Sequence, residues 1–232
     1  MKAQHLKAAR KARGWTQVEA AVRLGLSQPY LAMLERGQRR LTPRLARKAA
    51  RVLRLPPTAL PLSQPPFPPE RTDPQFLAEA LAALGYPGFG HLRTQQRLRN
   101  PAELLLSALT QRDLEPRQAE ALPWLVMRFP SMDLDWLLSN AKLRDLQNRL
   151  GFVVALAQRV AERLEGPNSS RVDTLRQLVS ALEQSRLARE DTLCQESLNE
   201  VERRWLRENR GDLARHWNLL TGWTAEALRY VL

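Results

Sequence analysis

The sequence has little of what most catalytic and metal sites require. It contains one cysteine, Cys194, and three histidines, and none of them lies in a metal-ligand spacing such as HExxH or CxxC. A single cysteine also excludes an intrachain disulfide. The glycines of residues 85–90 are followed neither by a lysine nor by a clear helix start, so no phosphate-binding loop is expected. The sequence therefore predicts no metal, no cofactor and no enzyme activity.

Long apolar runs are absent as well. No stretch approaches the roughly 18 apolar residues of a membrane helix, and the N-terminal residues lack the apolar centre of a signal peptide. The single cysteine suits a reducing compartment. The composition, with 44% hydrophobic and 26% charged residues, is that of an ordinary globular protein. These features together predict a cytoplasmic protein without a membrane partner.

Positive charge, by contrast, is abundant and unevenly distributed. The formal net charge of the chain is +12. Residues 1–73 carry 15 Lys and Arg against 4 Asp and Glu, whereas residues 74–232 carry 21 against 20. A basic surface confined to one region suits binding to a phosphate backbone, which a basic face kept only for solubility would not explain.

The basic region contains the signals of two short helices joined by a tight turn, in residues 16–37. Thr16 is an expected N-cap with Glu19 in the capping-box position. Gly25 supplies the turn, because a residue without Cβ reverses the chain there most easily. Ser27 then caps a second helix that ends at the last glycine of the segment.

The two helices have complementary faces. The apolar residues expected to face each other are Ala21, Leu24, Leu31 and Leu34, and those expected to point outward are Gln28, Ala32, Met33 and Arg36. This pattern is typical of a helix-turn-helix, whose second helix enters a DNA major groove.

Residues 6–62 resemble the Cro/repressor class of helix-turn-helix domains, also called the XRE family. The residues that carry the resemblance are Gln17, Ala21, Gly25, Ser27, Gln28, Leu31, Leu34, Glu35, Arg36 and Gly37. The resemblance implies a five-helix DNA-binding domain. It also implies a half-buried ion pair between Arg10 and Glu35, for which the alternative is a surface arginine.

The motif assigns two sets of DNA contacts. The residues expected to face base edges are Gln28, Pro29, Ala32 and Met33. Gln28 is the natural bidentate reader of adenine, while Ala32 and Met33 can contact only thymine methyl groups. The residues expected to hold phosphates are Arg13, Gln17, Arg36, Arg39, Arg40 and Arg44.

Proline marks the predicted domain boundary. Eight of the sixteen prolines lie within residues 55–74, and the stretch from Gln64 reads as a stiff, extended spacer. The predicted organisation is a DNA-binding domain at 1–63, a proline-rich linker at 64–73 and an all-helical domain at 74–232.

The second domain is predicted to be all-α, as a helical bundle or a short α-solenoid. Cap signals and periodicity place its helices at about 74–84, 101–112, 116–129, 133–164 with a break near 141, 171–188, 191–209, 212–221 and 224–232.

A partner surface is predicted near the C-terminal end of the chain. The segment from Arg203 to Trp223 is rich in both Arg and Trp, the residue types that anchor protein interfaces. The candidate partner-binding residues are Arg203, Trp205, Arg207, Trp217 and Trp223. The alternative is that the tryptophans belong to the core.

The sequence thus predicts a sequence-specific DNA-binding transcriptional regulator, a repressor, that binds a double-stranded DNA operator as a homodimer. Residues 122–137 and 141–157 resemble the helical module of antitoxin-type regulators, which implies a cognate toxin protein as a partner. The alternative function is a peptide- or small-molecule-sensing regulator with a helical receptor domain.

Overall fold

The structure is a computed structural model that describes residues 3–62, 73–92 and 98–230. Contacts within the chain divide it into two compact units, Met1–Gln64 and Pro65–Leu232. Most of the predicted linker at 64–73 lies outside the described residues. In the part of the chain that is described, no helix is both long and apolar enough to cross a membrane.

Within residues 3–62 the first unit consists of four α-helices and one short turn of 3-10 helix. They are α1 (Ala3–Ala12), α2 (Gln17–Leu24), α3 (Gln28–Glu35), α4 (Pro43–Val52) and the 3-10 turn Pro57–Ala59. The expected fifth helix is therefore only a single turn. Prolines at positions 56, 57 and 61 explain this, because proline lacks the N–H that a longer helix needs.

The core of the first unit lies between these helices. Leu6 of α1, Leu24 of α2, and Leu31 and Leu34 of α3 are at most 2% exposed. Ala20 and Ala21 are equally buried, and their small side chains allow α2 and α3 to approach closely. The apolar faces of the two helices, as the sequence predicts, form the centre of this core.

The second unit is built mainly from helices. They are α5 (Pro74–Ala83), the 3-10 turn Pro87–Phe89, α6 (Pro101–Leu109), α7 (Pro116–Arg128), α8 (Leu134–Lys142), α9 (Gln147–Glu165), α10 (Ser170–Glu183), α11 (Glu200–Asn209) and α12 (Asp212–His216). Two short strands, β1 (Asp191–Thr192) and β2 (Leu219–Leu220), complete the unit. The predicted all-α class is confirmed, with this small pair of strands as an addition.

Helix α9 is the centre of the second unit. It contacts α7, α8, α10, α12 and both strands, and its first half is buried almost throughout. Gly151 of α9 lies directly against the Trp217 ring, since a Cβ built on Gly151 would come within 2.2 Å of the ring. The unit is therefore a bundle around one central helix rather than a stack of repeats.

The helix predicted over 191–209 is wrong in its first half. Asp191 and Thr192 form β1, which pairs in parallel with β2 in the register Asp191↔Leu219 and Thr192↔Leu220. Cys194 has a positive φ of 52°, which interrupts a helix. The helix begins instead at Asn199, where a capping box with Glu202 satisfies its first N–H groups.

The two predicted helices at the C-terminal end are also wrong in extent. Helix α12 ends at His216, and Asn218 adopts a positive φ of 53° directly before β2. Within 224–230 the structure describes turns and no helix. Arg163 of α9 donates to the Ala225 carbonyl at 2.7 Å, and Glu120 of α7 accepts from the Arg229 N–H. These tertiary contacts satisfy backbone groups that a helix would otherwise pair.

Candidate nucleic-acid interface

The turn between α2 and α3 is built from local cap chemistry. The Thr16 hydroxyl accepts from the Glu19 N–H at 3.2 Å, and the Glu19 carboxylate accepts from the Thr16 N–H at 2.8 Å. Gly25 is left-handed, with φ of 65°. The Ser27 hydroxyl caps α3 by accepting from the Tyr30 N–H. All three signals predicted from the sequence are confirmed, because each depends only on neighbouring residues.

A buried ion pair fixes α3 against α1. Arg10 donates to both carboxylate oxygens of Glu35, from Nε at 2.6 Å and from Nη2 at 2.9 Å. The Glu35 side chain is only 1% exposed. Arg10 Nη1 also donates to the Trp15 carbonyl at 2.8 Å. The pair implied by the family resemblance is confirmed, and it lies in the interior rather than on the surface.

The charge on Glu35 is maintained by these hydrogen bonds. Burial alone would raise the pKa of its carboxyl, but the hydrogen bonds from Arg10 and Gln17 outweigh burial and hold the pKa below 4.5. The hydrogen bond to Glu35 likewise raises the pKa of Arg10. Both groups therefore remain ionised at neutral pH.

The ion pair extends into a chain of hydrogen bonds that reaches the outer face of α3. Gln17 Nε2 donates to Glu35 Oε2 at 3.0 Å, and Gln28 Nε2 donates to Gln17 Oε1 at 2.9 Å. An ionised carboxylate can only accept, so Gln17 must turn its NH₂ group toward Glu35. Its carbonyl oxygen then faces Gln28, which must donate in turn. The buried carboxylate thereby sets the orientation of an exposed amide.

The predicted base-reading residues divide into an exposed group and a buried one. Gln28 and Pro29 are exposed, and Met33 is half-buried. Ala32 is 9% exposed and belongs to the buried face of α3. The prediction that Ala32 points outward is wrong, because the apolar face of α3 extends past Leu31 to include it.

The predicted phosphate-binding arginines all reach solvent. Arg13, Arg36, Arg39, Arg40 and Arg44 are exposed. Gln17 differs from them, because its half-buried amide is occupied by Glu35 and Gln28. This geometry suits positioning of Gln28.

Trp15, which sequence reasoning missed, supports the same surface. The Arg23 guanidinium lies 4.3 Å from the centre of the Trp15 ring, and the Arg13 guanidinium lies 5.9 Å from it. A cation over the ring face is held in place without losing its charge. The signal in the sequence is a tryptophan two residues after an arginine in a highly basic segment.

Of the predicted partner-binding tryptophans, the structure overturns one. Trp217 is fully buried against α9, so it belongs to the core and cannot contact a partner. Trp223 is half-buried. Trp205 is 59% exposed on α11, four residues after Val201, which is 78% exposed. Sequence reasoning missed Val201, although its spacing to Trp205 places both on one helix face.

The two arginines of the predicted partner surface have partners within the unit. Arg203 donates to the Leu198 and Glu196 carbonyls, each at 2.9 Å. Arg207 bridges the carboxylates of Glu190 and Glu200, each at 2.9 Å. Both side chains thus stabilise the segment around α11.

Among the described residues, no group of three or more His, Cys, Asp or Glu side chains could hold a metal ion. The one cysteine, Cys194, is buried, and burial raises the pKa of its thiol to about 12. A thiol of this pKa stays protonated at neutral pH and is a poor nucleophile.

Comparisons with known proteins identify one region of the chain. Residues 6–60 match the sequence model of a family described as helix-turn-helix. No curated protein and no solved structure matches the chain. The matched residues span α1 to the 3-10 turn, and they include every residue of the hydrogen-bonded chain from Arg10 to Gln28. Residues 6–60 are therefore a DNA-binding helix-turn-helix domain of the Cro/repressor (XRE) type, as found in transcription regulators.

Proposed function

We propose that the protein is a cytoplasmic transcriptional repressor that reads a double-stranded operator through Gln28 of α3 and binds it as a homodimer. In this proposal residues 1–63 bind DNA and residues 74–232 hold a partner. The observation that carries it is the fixed orientation of the Gln28 amide, which Gln17 and Glu35 impose.

This orientation suits adenine. Gln28 Nε2 uses one hydrogen for Gln17 and keeps the other, while its Oε1 is free to accept. In the major groove adenine presents an acceptor, N7, beside a donor, the N6 amino group. The remaining N–H of Gln28 and its carbonyl oxygen match this pair. A fixed amide binds without the entropy loss of ordering a free side chain, which favours affinity.

The experiment begins with selection of a bound sequence from a library of random duplexes. Gln28→Ala should then weaken binding to the selected operator by about 1–3 kcal/mol while binding to random DNA barely changes. Replacing the adenine that Gln28 reads should cost the wild-type protein a similar amount and cost Gln28→Ala almost nothing. Equal losses of Gln28→Ala on operator and random DNA would contradict the assignment.

Gln17→Ala is the matched control for the orientation argument. It leaves the Gln28 amide intact but removes the acceptor that positions it. We expect a smaller loss than that of Gln28→Ala, with the preference for adenine reduced. A Gln17→Ala protein with unchanged preference would show that the hydrogen-bonded chain does not contribute to reading.

The homodimer is proposed to form through the outer face of α11. Val201, Arg204, Trp205 and Glu208 recur at the helical spacing and form this face, which we call the α11 face. Leu206, the one buried residue of α11, lies on the other side. In an antiparallel pair of helices related by a two-fold axis, Arg204 of each α11 face lies opposite Glu208 of the other. The two Trp205 rings then lie between these charged residues.

Light scattering at micromolar concentration tests the dimer. Trp205→Ala should give monomers with unchanged helicity, because the Trp205 side chain is 59% exposed and does not belong to the core of its own chain. Leu164→Ala is the control, since Leu164 is an exposed apolar residue elsewhere in the unit, 51% accessible. A Trp205→Ala protein that remains dimeric, or a monomeric wild type, would contradict this interface.

The finer proposal is an autoregulating antitoxin whose partner is a cognate toxin protein. It is supported by the resemblance of residues 122–137 and 141–157 to antitoxin-type regulators; these segments contribute to α7, α8 and α9. Co-expression of the full chain should restore growth to cells that produce the protein of the neighbouring gene. A neighbour that is harmless when expressed alone would contradict the antitoxin role and leave operator binding untouched.

A further inference from the structure

The solvent face of α4 carries only positive charge. Arg44, Arg47, Lys48 and Arg51 are all exposed, and their spacing of three and four residues places them on one face of the helix. The opposite face consists of the buried residues Ala46, Ala49 and Ala50. We call the four cations the α4 basic face.

In the part of the chain that the structure describes, no carboxylate pairs with this face. Helix α4 contains no acidic residue, and among the described residues none of its four cations forms an ion pair or a side-chain hydrogen bond. Like charges three and four residues apart on a helix repel one another. The repulsion costs stability, and the four side chains are exposed rather than part of the core, which indicates a role outside the fold.

The α4 basic face continues the loop that precedes it. Exposed Arg39 and Arg40 lie in the loop between α3 and α4, and Arg44 follows in the first turn of α4. Lys48 Nζ lies 2.9 Å from the place that a Cβ on Gly25 would take, so the α4 basic face passes beside the turn between α2 and α3. Arg51, at the other end of the face, extends the run of cations beyond the arginines already assigned to phosphates.

We propose that the α4 basic face binds the phosphate backbone of the DNA that flanks the half-site read by α3. This inference rests on the proposed operator binding. From Arg44 to Arg51 the helix rises by about 10.5 Å, which corresponds to about three phosphates of one strand at about 3.4 Å along the DNA axis. The contacts read no bases, so they extend the footprint and increase affinity for any flanking sequence.

The test compares two duplexes that share the selected operator. One ends at the outer edges of the two half-sites, at about 20 base pairs, and the other adds about 10 base pairs on each side. The variant combines Arg47→Gln, Lys48→Gln and Arg51→Gln, since glutamine preserves helix propensity and side-chain length. The matched control removes three exposed arginines of the second unit through Arg117→Gln, Arg159→Gln and Arg189→Gln, which changes the net charge equally.

On the longer duplex, the slope of log affinity against log salt should be smaller for the dimeric α4 variant by about 5.4, or 0.9 for each of three phosphates in each of two half-sites. Its loss of affinity between about 50 and 200 mM salt should accordingly be about 2,000-fold smaller than that of the wild type. The control should follow the wild type. On the trimmed duplex, wild type and α4 variant should differ little.

Three results would overturn the inference: an unchanged slope, an equal change in the control, or an equal change on the trimmed duplex. Melting temperatures of all proteins verify that the domain remains folded. The proposed operator reading fails separately, through equal losses of Gln28→Ala on operator and random DNA. A smaller slope on random duplexes would still report the phosphate contacts in that case.

Discussion

Arginine side chains of the first unit extend into solvent, whereas many of those in the second unit meet carboxylates. In the first unit Arg10 pairs with Glu35, but among the described residues Arg36, Arg39 and Arg40 have no acidic partner. In the second unit the paired arginines include Arg112, Arg149, Arg163, Arg171, Arg176, Arg207 and Arg215. An unpaired cation remains available to a phosphate, while a paired one is committed to its own chain.

The contrast shows that the net charge of a unit does not reveal whether its charged side chains pair with one another or remain free to bind a ligand. The second unit contains more arginines than the first, yet a nearly equal number of Asp and Glu residues leaves it almost neutral. The buried pairs of the two units, Arg10–Glu35 and Arg149–Asp191, serve the fold in both. The exposed arginines differ in how often they meet a carboxylate, and this difference agrees with the helix-turn-helix match of the first unit.

The largest expected effect concerns Arg149. It donates to both Asp191 oxygens, at 2.7 and 2.9 Å, and to the Leu109 carbonyl at 3.0 Å. Arg149→Met removes the guanidinium that neutralises the Asp191 carboxylate and donates to that carbonyl, so we expect a loss of about 3–5 kcal/mol in unfolding free energy. Urea unfolding followed by tryptophan fluorescence measures it.

Arg112→Met is the comparison for Arg149. Its ion pair with Glu196, at 2.7 Å, is exposed on both sides, so we expect a change of less than about 1 kcal/mol. Similar losses for the two variants would show that burial does not distinguish these pairs.

The next effect concerns the pH dependence of the first unit. Because the pKa of Glu35 is lowered in the folded protein, its contribution is complete above the ordinary value of 4.5 and disappears as pH falls through the folded pKa. Glu35→Gln should cost about 3 kcal/mol at pH 7, since Arg10 then lacks its anion. The gap to the wild type should begin to narrow as pH falls below 4.5, because the carboxyl of the unfolded wild type takes up a proton there while the folded one still holds its charge. The narrowing should be complete below the folded pKa. A gap that stays constant down to pH 3 in urea titrations would contradict the ion pair.

The smallest expected effect is the difference between substituting an unpaired arginine, Arg40, and substituting a paired one, Arg215. Arg40→Gln should leave the unfolding free energy within about 0.5 kcal/mol of the wild type and reduce the salt slope of DNA binding by about 0.9 for each half-site, or about 1.8 for the dimer. Arg215→Gln, which removes the exposed ion pair with Asp212, should change neither quantity measurably. Equal effects of the two on the salt slope would refute the division of labour between the units.

The elements that the sequence predicted best depend on neighbouring residues. The Thr16 capping box, the Gly25 turn and the Ser27 cap each involve atoms within a few residues, so their pattern determines the geometry directly. The caps that Asn100 and Asp133 form on α6 and α8 likewise involve only neighbouring residues. The segments that were predicted wrongly carry similar local signals, but contacts with residues far away in the chain change their structure.

Asp191 and Thr192 show how a distant partner changes the outcome. Their sequence is that of a helix cap, but the Asp191 carboxylate binds Arg149 of α9, and its backbone N–H donates to the Asn218 carbonyl beside β2. The ion pair, which is largely buried on the Arg149 side, outweighs the weak preference for a helix start. Because Arg149 is 42 residues away in the chain, the sequence around Asp191 does not indicate this contact.

The sequence by itself determined the helix-turn-helix and the segregation of charge, because spacing and composition carry them. Only the tertiary structure decided that Ala32 and Trp217 are buried, that Gln17 orients Gln28 from Glu35, and that Val201 and Trp205 stand exposed on α11. Helical spacing shows which residues share a face. Whether a face meets another helix or water depends on the packing of segments far apart in the chain.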